Sequence, residues 1–107
     1  MLGVIYRIYG TKDDKTMIYI GCTCEKRFND RISKHITAFR LYNLKKFHYV
    51  SSFDVLSLDN WNFEIIESIN TNDKNEIFKN EVKHMNYYKN LNGYNLVNKV
   101  IKKDLKN

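Results

Sequence analysis

A chain of 107 residues with 43% apolar and 14% aromatic content supports one folded domain and excludes a disordered tail. Its 18 Lys and Arg against 12 Asp and Glu leave a formal charge of +6, which favours anionic partners such as nucleic acid. Cys22 and Cys24 are too few for a four-cysteine zinc site or a disulfide framework, and no apolar run approaches the roughly 20 residues of a membrane span. The expectation is a soluble, intracellular protein with two free thiols and no membrane partner.

Residues 2–9 (LGVIYRIY) are rich in β-branched and aromatic types and predict a first strand. Leu2, Val4, Tyr6 and Ile8 then share one face. Residues 10–16 are a polar turn, and residues 17–21 (MIYIG) predict a second strand, closing a hairpin. Tyr6 and Tyr19 can come together on these paired strands, whose register the sequence does not fix.

A helix is predicted from Thr23 or Cys24 to about Leu44, with Phe28, Ile32, Ile36 and Phe39 as its buried stripe. Arg31 and His35 are four residues apart and flank that stripe. In residues 45–59, Phe53, Leu56 and Leu58 suggest a short second helix. Residues 61–67 (WNFEIIE) predict a third strand. Residues 70–73 (NTND) supply N-cap types for a helix over residues 74–90, and Gly93 suits a left-handed cap after it. Residues 94–100 form a short closing segment. The order β-β-α-(α)-β-α predicts an α/β domain of the α+β type, over residues 1–101, with a small three-stranded antiparallel sheet flanked by helices. Residues 102–107 read as a basic tail.

Four groups of residues carry candidate chemistry. Glu81 lies four residues from both Ile77 and Met85, on the apolar stripe of its helix, where a carboxylate is costly to desolvate. Arg31 offers a planar fork of donors for phosphate, and His35 can carry a proton. Tyr6 and Tyr19 can orient a phosphate or accept a proton from water, although an ordinary phenol pKa of about 10 makes the base role demanding. Lys26, Arg27, Arg31, Lys34, Arg40, Lys45 and Lys46 form a basic stretch suited to a phosphate backbone. Each group also has a plain structural reading: a rim glutamate, an exposed basic helix edge, two sheet tyrosines, a solvated face.

In this order and spacing the residues resemble the catalytic domain of the GIY-YIG endonucleases, over about residues 2–100. Val4-Ile5-Tyr6 stands at the first triplet with Val for Gly, and Tyr19-Ile20-Gly21 matches the second. Phe28, Arg31 and His35 are similar to the family's helix signature, Glu81 falls where its metal-binding glutamate belongs, and residues 92–95 (NGYN) resemble its closing segment. The loop between the triplets is longer than is usual. Arg27 is nearer the arginine spacing of some members, whereas Arg31 shares an edge of the helix with His35.

The resemblance implies a divalent-metal-dependent endonuclease that hydrolyses DNA, or RNA, with Mg²⁺ or Mn²⁺. It implies that Glu81 holds the metal, Arg31 neutralises phosphate charge, and Tyr6 assists deprotonation of the attacking water. Tyr19 would orient the phosphate or water, with His35 supporting the site. Gly21, Lys26, Arg27, Lys34, Arg40, Lys45, Lys46 and Asn95 are the expected nucleic-acid contacts, and a protein partner would supply sequence recognition. The alternative is a basic nucleic-acid-binding module without catalysis. A catalytic reading also expects Tyr6, Tyr19, Arg31 and Glu81 to line one open, shallow cleft.

Overall fold

The computed structural model describes residues 1–99. Its elements are β1 (Leu2–Lys12), β2 (Lys15–Thr23), α1 (Phe28–Asn43), α2 (Phe53–Leu56), β3 (Asn62–Asn70), α3 (Lys74–Lys89) and β4 (Tyr94–Leu96). The fold is α+β. The sheet has four strands rather than three, in the order β3-β1-β2-β4, and it is mixed: β4 runs parallel to β2. Gly93, at φ 88°, turns the chain out of α3 into β4, and its carbonyl accepts from Thr16 N at 2.9 Å. The tail over residues 102–107 lies outside the described residues.

The hairpin is longer than its sequence pattern suggests. Lys12 pairs with Lys15 across Asp13 and Asp14, which both adopt positive φ (53° and 65°). That is the backbone of a tight primed hairpin turn, which Asp tolerates better than most residues. The supposed polar loop is therefore mostly strand. At the other end Thr23 pairs with Val4, and its Oγ1 accepts from Glu25 N at 3.0 Å. This bends the chain away from the sheet, so α1 begins at Phe28 rather than at Thr23 or Cys24.

Strand alternation sends the residues of β1 to two cores. Tyr6 and Ile8 pack with Ile32, Phe53, Val55 and Leu56 under α1 and α2. Ile5 packs with Ile18, Ile20, Ile69, Ile77 and Met85 under α3. Both faces of the sheet are covered, which explains why β1 reads as a nearly continuous apolar run. The β1–β3 register shifts between Ile5 and Tyr6, leaving Ile66 as the extra residue beside Tyr6. Asp73 caps α3 by accepting from Asn75 N at 2.9 Å, as the polar break predicts. Among the described residues no helix is long and apolar enough to cross a membrane.

Candidate functional site

Tyr6 is the hub. It is fully buried on β1, and its hydroxyl lies 2.7 Å from His35 Nε2 and 3.4 Å from Arg31 Nε. Arg31 Nε–H donates to the phenol oxygen, which directs the phenol proton toward His35 Nε2. The other ring nitrogen, Nδ1, lies 3.0 Å from the fully buried Ser52 Oγ. With Nε2 as acceptor, Nδ1 carries the proton and donates to Ser52, an assignment made from the network. Arg31, Tyr6, His35 and Ser52 thus form one hydrogen-bonded chain.

Local structure explains why these groups meet. Arg31 and His35 are one helical turn apart on α1, either side of buried Ile32. Tyr6 crosses the backbone of β2 at Gly21, its strand partner; a Cβ there would collide with the Tyr6 ring and hydroxyl. Gly21 is thus a seat for Tyr6 within the sheet. Tyr19 presents its ring on the same face, with centroids 6.5 Å from Tyr6 and 5.4 Å from His35. Glu81 on α3 is 1% exposed, and its charge raises the pKa of Tyr19.

Burial sets the protonation states. It holds the Tyr6 phenol protonated well above its ordinary range, and the Arg31 hydrogen bond only partly offsets this. Burial, then the Glu81 charge, pushes Tyr19 up to about 12. Burial, then the Arg31 charge, lowers His35 to about 4, so the imidazole is neutral near pH 7 and free to accept a proton. For Arg31, burial opposes the charge, but Tyr6, Tyr19 and Glu25 outweigh it and keep the guanidinium protonated.

Tyr6 and Glu81 are buried, and neither is among the residues that line the cleft at the end of β2. The concavity, of about 300 Å³ at the end of β2, is lined instead by Cys24, Glu25, Arg31, Lys34, Lys74 and Phe78 among others. Burial of the strand centre and of the α3 stripe, which makes both residues core positions, is the physical reason. Within the cleft, the Glu25 carboxylate lies 2.6 Å from Lys34 Nζ and 3.8 Å from Arg31 NH1. The Lys34 hydrogen bond, with the charges of Lys34 and Arg31, holds it below the usual carboxylate range. The carboxylate bridges two cations here, an arrangement suited to an anionic oxygen.

The other expected contacts are dispersed. Arg27 is 80% exposed at the start of α1 and pairs with Asp30 at 3.4 Å, away from Tyr6. Lys26 is exposed nearby, whereas Arg40, Lys45 and Lys46 are exposed at the far end of α1. Asn95 is not brought to the cluster. It pairs with Met17 on β4 and donates to the Met17 sulfur at 3.3 Å. Asn98 reaches β2 instead, accepting from Ile20 N at 3.0 Å and donating to Ile20 O at 2.9 Å, beside Tyr19. Sequence reasoning missed Asn98, Ser52 and Glu25. For Asn98 a signal existed, since Asn95 and Asn98 repeat the N-x-x-N spacing. Cys22 is half-buried and Cys24 is exposed, and neither is in a disulfide.

No family model, no curated protein and no solved structure matches this chain significantly.

The neutral state of His35 predicts a pH effect on stability. The unfolded imidazole titrates near 6.5 and the folded one near 4, so between these values only the unfolded chain takes up the proton. Stability is complete above pH 6.5, falls as pH drops through this window, and levels off below about 4. At pH 5 the loss is about 2 kcal/mol relative to pH 7.5, measured by urea unfolding. His35→Asn is expected to flatten this slope, and an equally steep slope in the variant would refute the assignment.

Proposed function

We propose that this chain is a GIY-YIG-type endonuclease that hydrolyses nucleic-acid phosphodiester bonds, with DNA as its substrate, using one divalent cation. The observation that carries this reading is the chain from Arg31 through Tyr6 to His35. A phenol between a fixed cation and a neutral imidazole acceptor is more than a sheet tyrosine needs for packing.

The donor set bears on the metal. Among the described residues no group of three or more His, Cys, Asp or Glu could hold an ion, so a closed protein cage is not on offer. Glu81 is one hard oxygen donor on α3, which suits Mg²⁺ or Mn²⁺ retaining most of its own water. Glu81 would hold the ion, and the ion would supply Lewis-acid polarisation of the phosphate.

The chain's own residues account for the proton and the charge. Arg31, with Lys34 beside it, receives the scissile phosphate in place of Glu25 and stabilises charge on its non-bridging oxygens. As the attacking water bonds to phosphorus, it gives its proton to the Tyr6 oxygen and the Tyr6 proton passes to His35 Nε2, while the P–O bond to the leaving oxygen breaks and that oxygen takes a proton from solvent. The phenol therefore never exists as a free phenolate, which matters because burial makes that anion costly. Ser52 holds His35 in the tautomer that leaves Nε2 open. Tyr19, whose ring packs beside those of Tyr6 and His35, orients the phosphate or water.

Plasmid nicking with and without Mg²⁺ tests this function. Conversion of supercoiled to open-circle DNA only with the metal is expected. Metal-independent DNA retention without any nicking would instead support a basic binding module.

A further inference from the structure

Arg31 and Lys34 line a second concavity besides the cleft at the end of β2. This groove, of about 270 Å³, runs between α1 and the segment that precedes α2, with Ala38, Phe47 and Val50 as its apolar walls. Phe47 is 38% exposed and lies outside both cores. Its ring stacks on His48 at 4.3 Å and 24°, so His48 backs one face of the Phe47 ring and leaves the other as the stacking surface. Lys45 and Lys46, both exposed, precede it.

We infer that this groove binds an unpaired nucleobase next to the phosphate held by Arg31 and Lys34, with Phe47 as the stacking ring. This rests on the nuclease reading above and specifies its substrate as nucleic acid with a single-stranded or unpaired nucleotide at the cut. Three features select that occupant. The walls are apolar and include an aromatic face, which suits the π-surface of any base. The rim carries Arg31 and Lys34, with Lys45 and Lys46 adjoining Phe47, and none of the residues lining the groove is a carboxylate, which suits flanking phosphates. The groove and the cleft share Arg31 and Lys34, so a base in one and its phosphate in the other belong to one nucleotide step. A paired base is held in its stack and does not reach such a groove.

The test compares a single-stranded oligonucleotide with the fully paired duplex of the same sequence, by fluorescence anisotropy without divalent metal. Phe47→Ala is expected to weaken single-strand binding by roughly 5- to 100-fold and to leave duplex binding within about twofold. Phe47→Trp retains the ring, so it is expected to keep single-strand affinity, and its added indole emission, taken as the difference from wild type with its Trp61, is quenched by the single strand and not by the duplex. Equal loss on both nucleic acids, no loss on either, or an indole quenched by an acidic peptide but not by the oligonucleotide overturns the inference. If Phe47→Ala does not fold, the Phe47→Trp quenching alone decides. Because these arms read binding without metal, they separate the two readings. Glu81-dependent nicking with no Phe47 effect removes this inference alone, whereas the Phe47 effect without any nicking removes the nuclease reading alone.

Discussion

Arg31→Ala is expected to lower nicking by about a thousandfold, while Arg27→Ala keeps most of the rate. The two arginines begin the same helix but stand in different places. Arg31 is 39% exposed, reaches Tyr6 with Nε and faces the cleft with its NH1. Removing it takes away a fixed charge where negative charge builds up in the transition state, a loss of the size seen for a single oxyanion donor. It also removes the donor that orients the Tyr6 hydroxyl, so Arg31→Lys restores charge but only part of the rate. Arg27 is mostly solvent-exposed and paired with Asp30. Its loss removes at most one phosphate contact, which lowers the salt slope of DNA binding by about one without touching the chemical step. An inactive Arg27→Ala beside an active Arg31→Ala would overturn the assignment of this helix.

How much of this was legible depends on distance along the chain. Tyr6 and Tyr19 sharing a face, and Arg31 and His35 sharing a helix edge, are consequences of local period, which a sequence carries directly. The cap and stripe of α3 are equally local. Ser52 was hidden because its meaning comes from His35, 17 residues away, through a side-chain contact that no period announces. Glu25 reads as an ordinary acid until Lys34 and Arg31 are seen around it. β4 has three residues and pairs in parallel across α3, too short for an alternation signal and too remote for a hairpin signal. The enclosure of Tyr6 and Glu81 was also illegible, since it depends on how the helices pack over the two faces of the sheet, which no local period gives. The Asp13-Asp14 turn was hidden by composition, because its charged residues look like a loop while their backbone makes the tightest of connections.

Glu81→Gln is expected to abolish metal-dependent nicking and leave the fold standing. The glutamine keeps the shape of a side chain that is 1% exposed, so it opens no cavity of the kind that Glu81→Ala would leave. It removes a formal charge from a buried position, and with it a desolvation penalty. What it takes away is the hard anionic oxygen that a single-carboxylate metal site depends on. A second readout does not involve turnover. The Glu81 charge contributes to holding Tyr19 at about 12, second to burial, so Glu81→Gln lowers the alkaline midpoint of that phenol without returning it to 10. Absorbance at the phenolate band on raising pH, with the same titration of the Tyr19→Phe forms subtracted to remove the other tyrosines, reports this midpoint in wild type and variant. A fold judged intact by thermal melting, a shifted Tyr19 midpoint and absent nicking together assign the metal to Glu81. Undiminished Mg²⁺-dependent nicking by Glu81→Gln, with the same Tyr19 shift, would show that the carboxylate is beside the phenol but plays no part in the reaction.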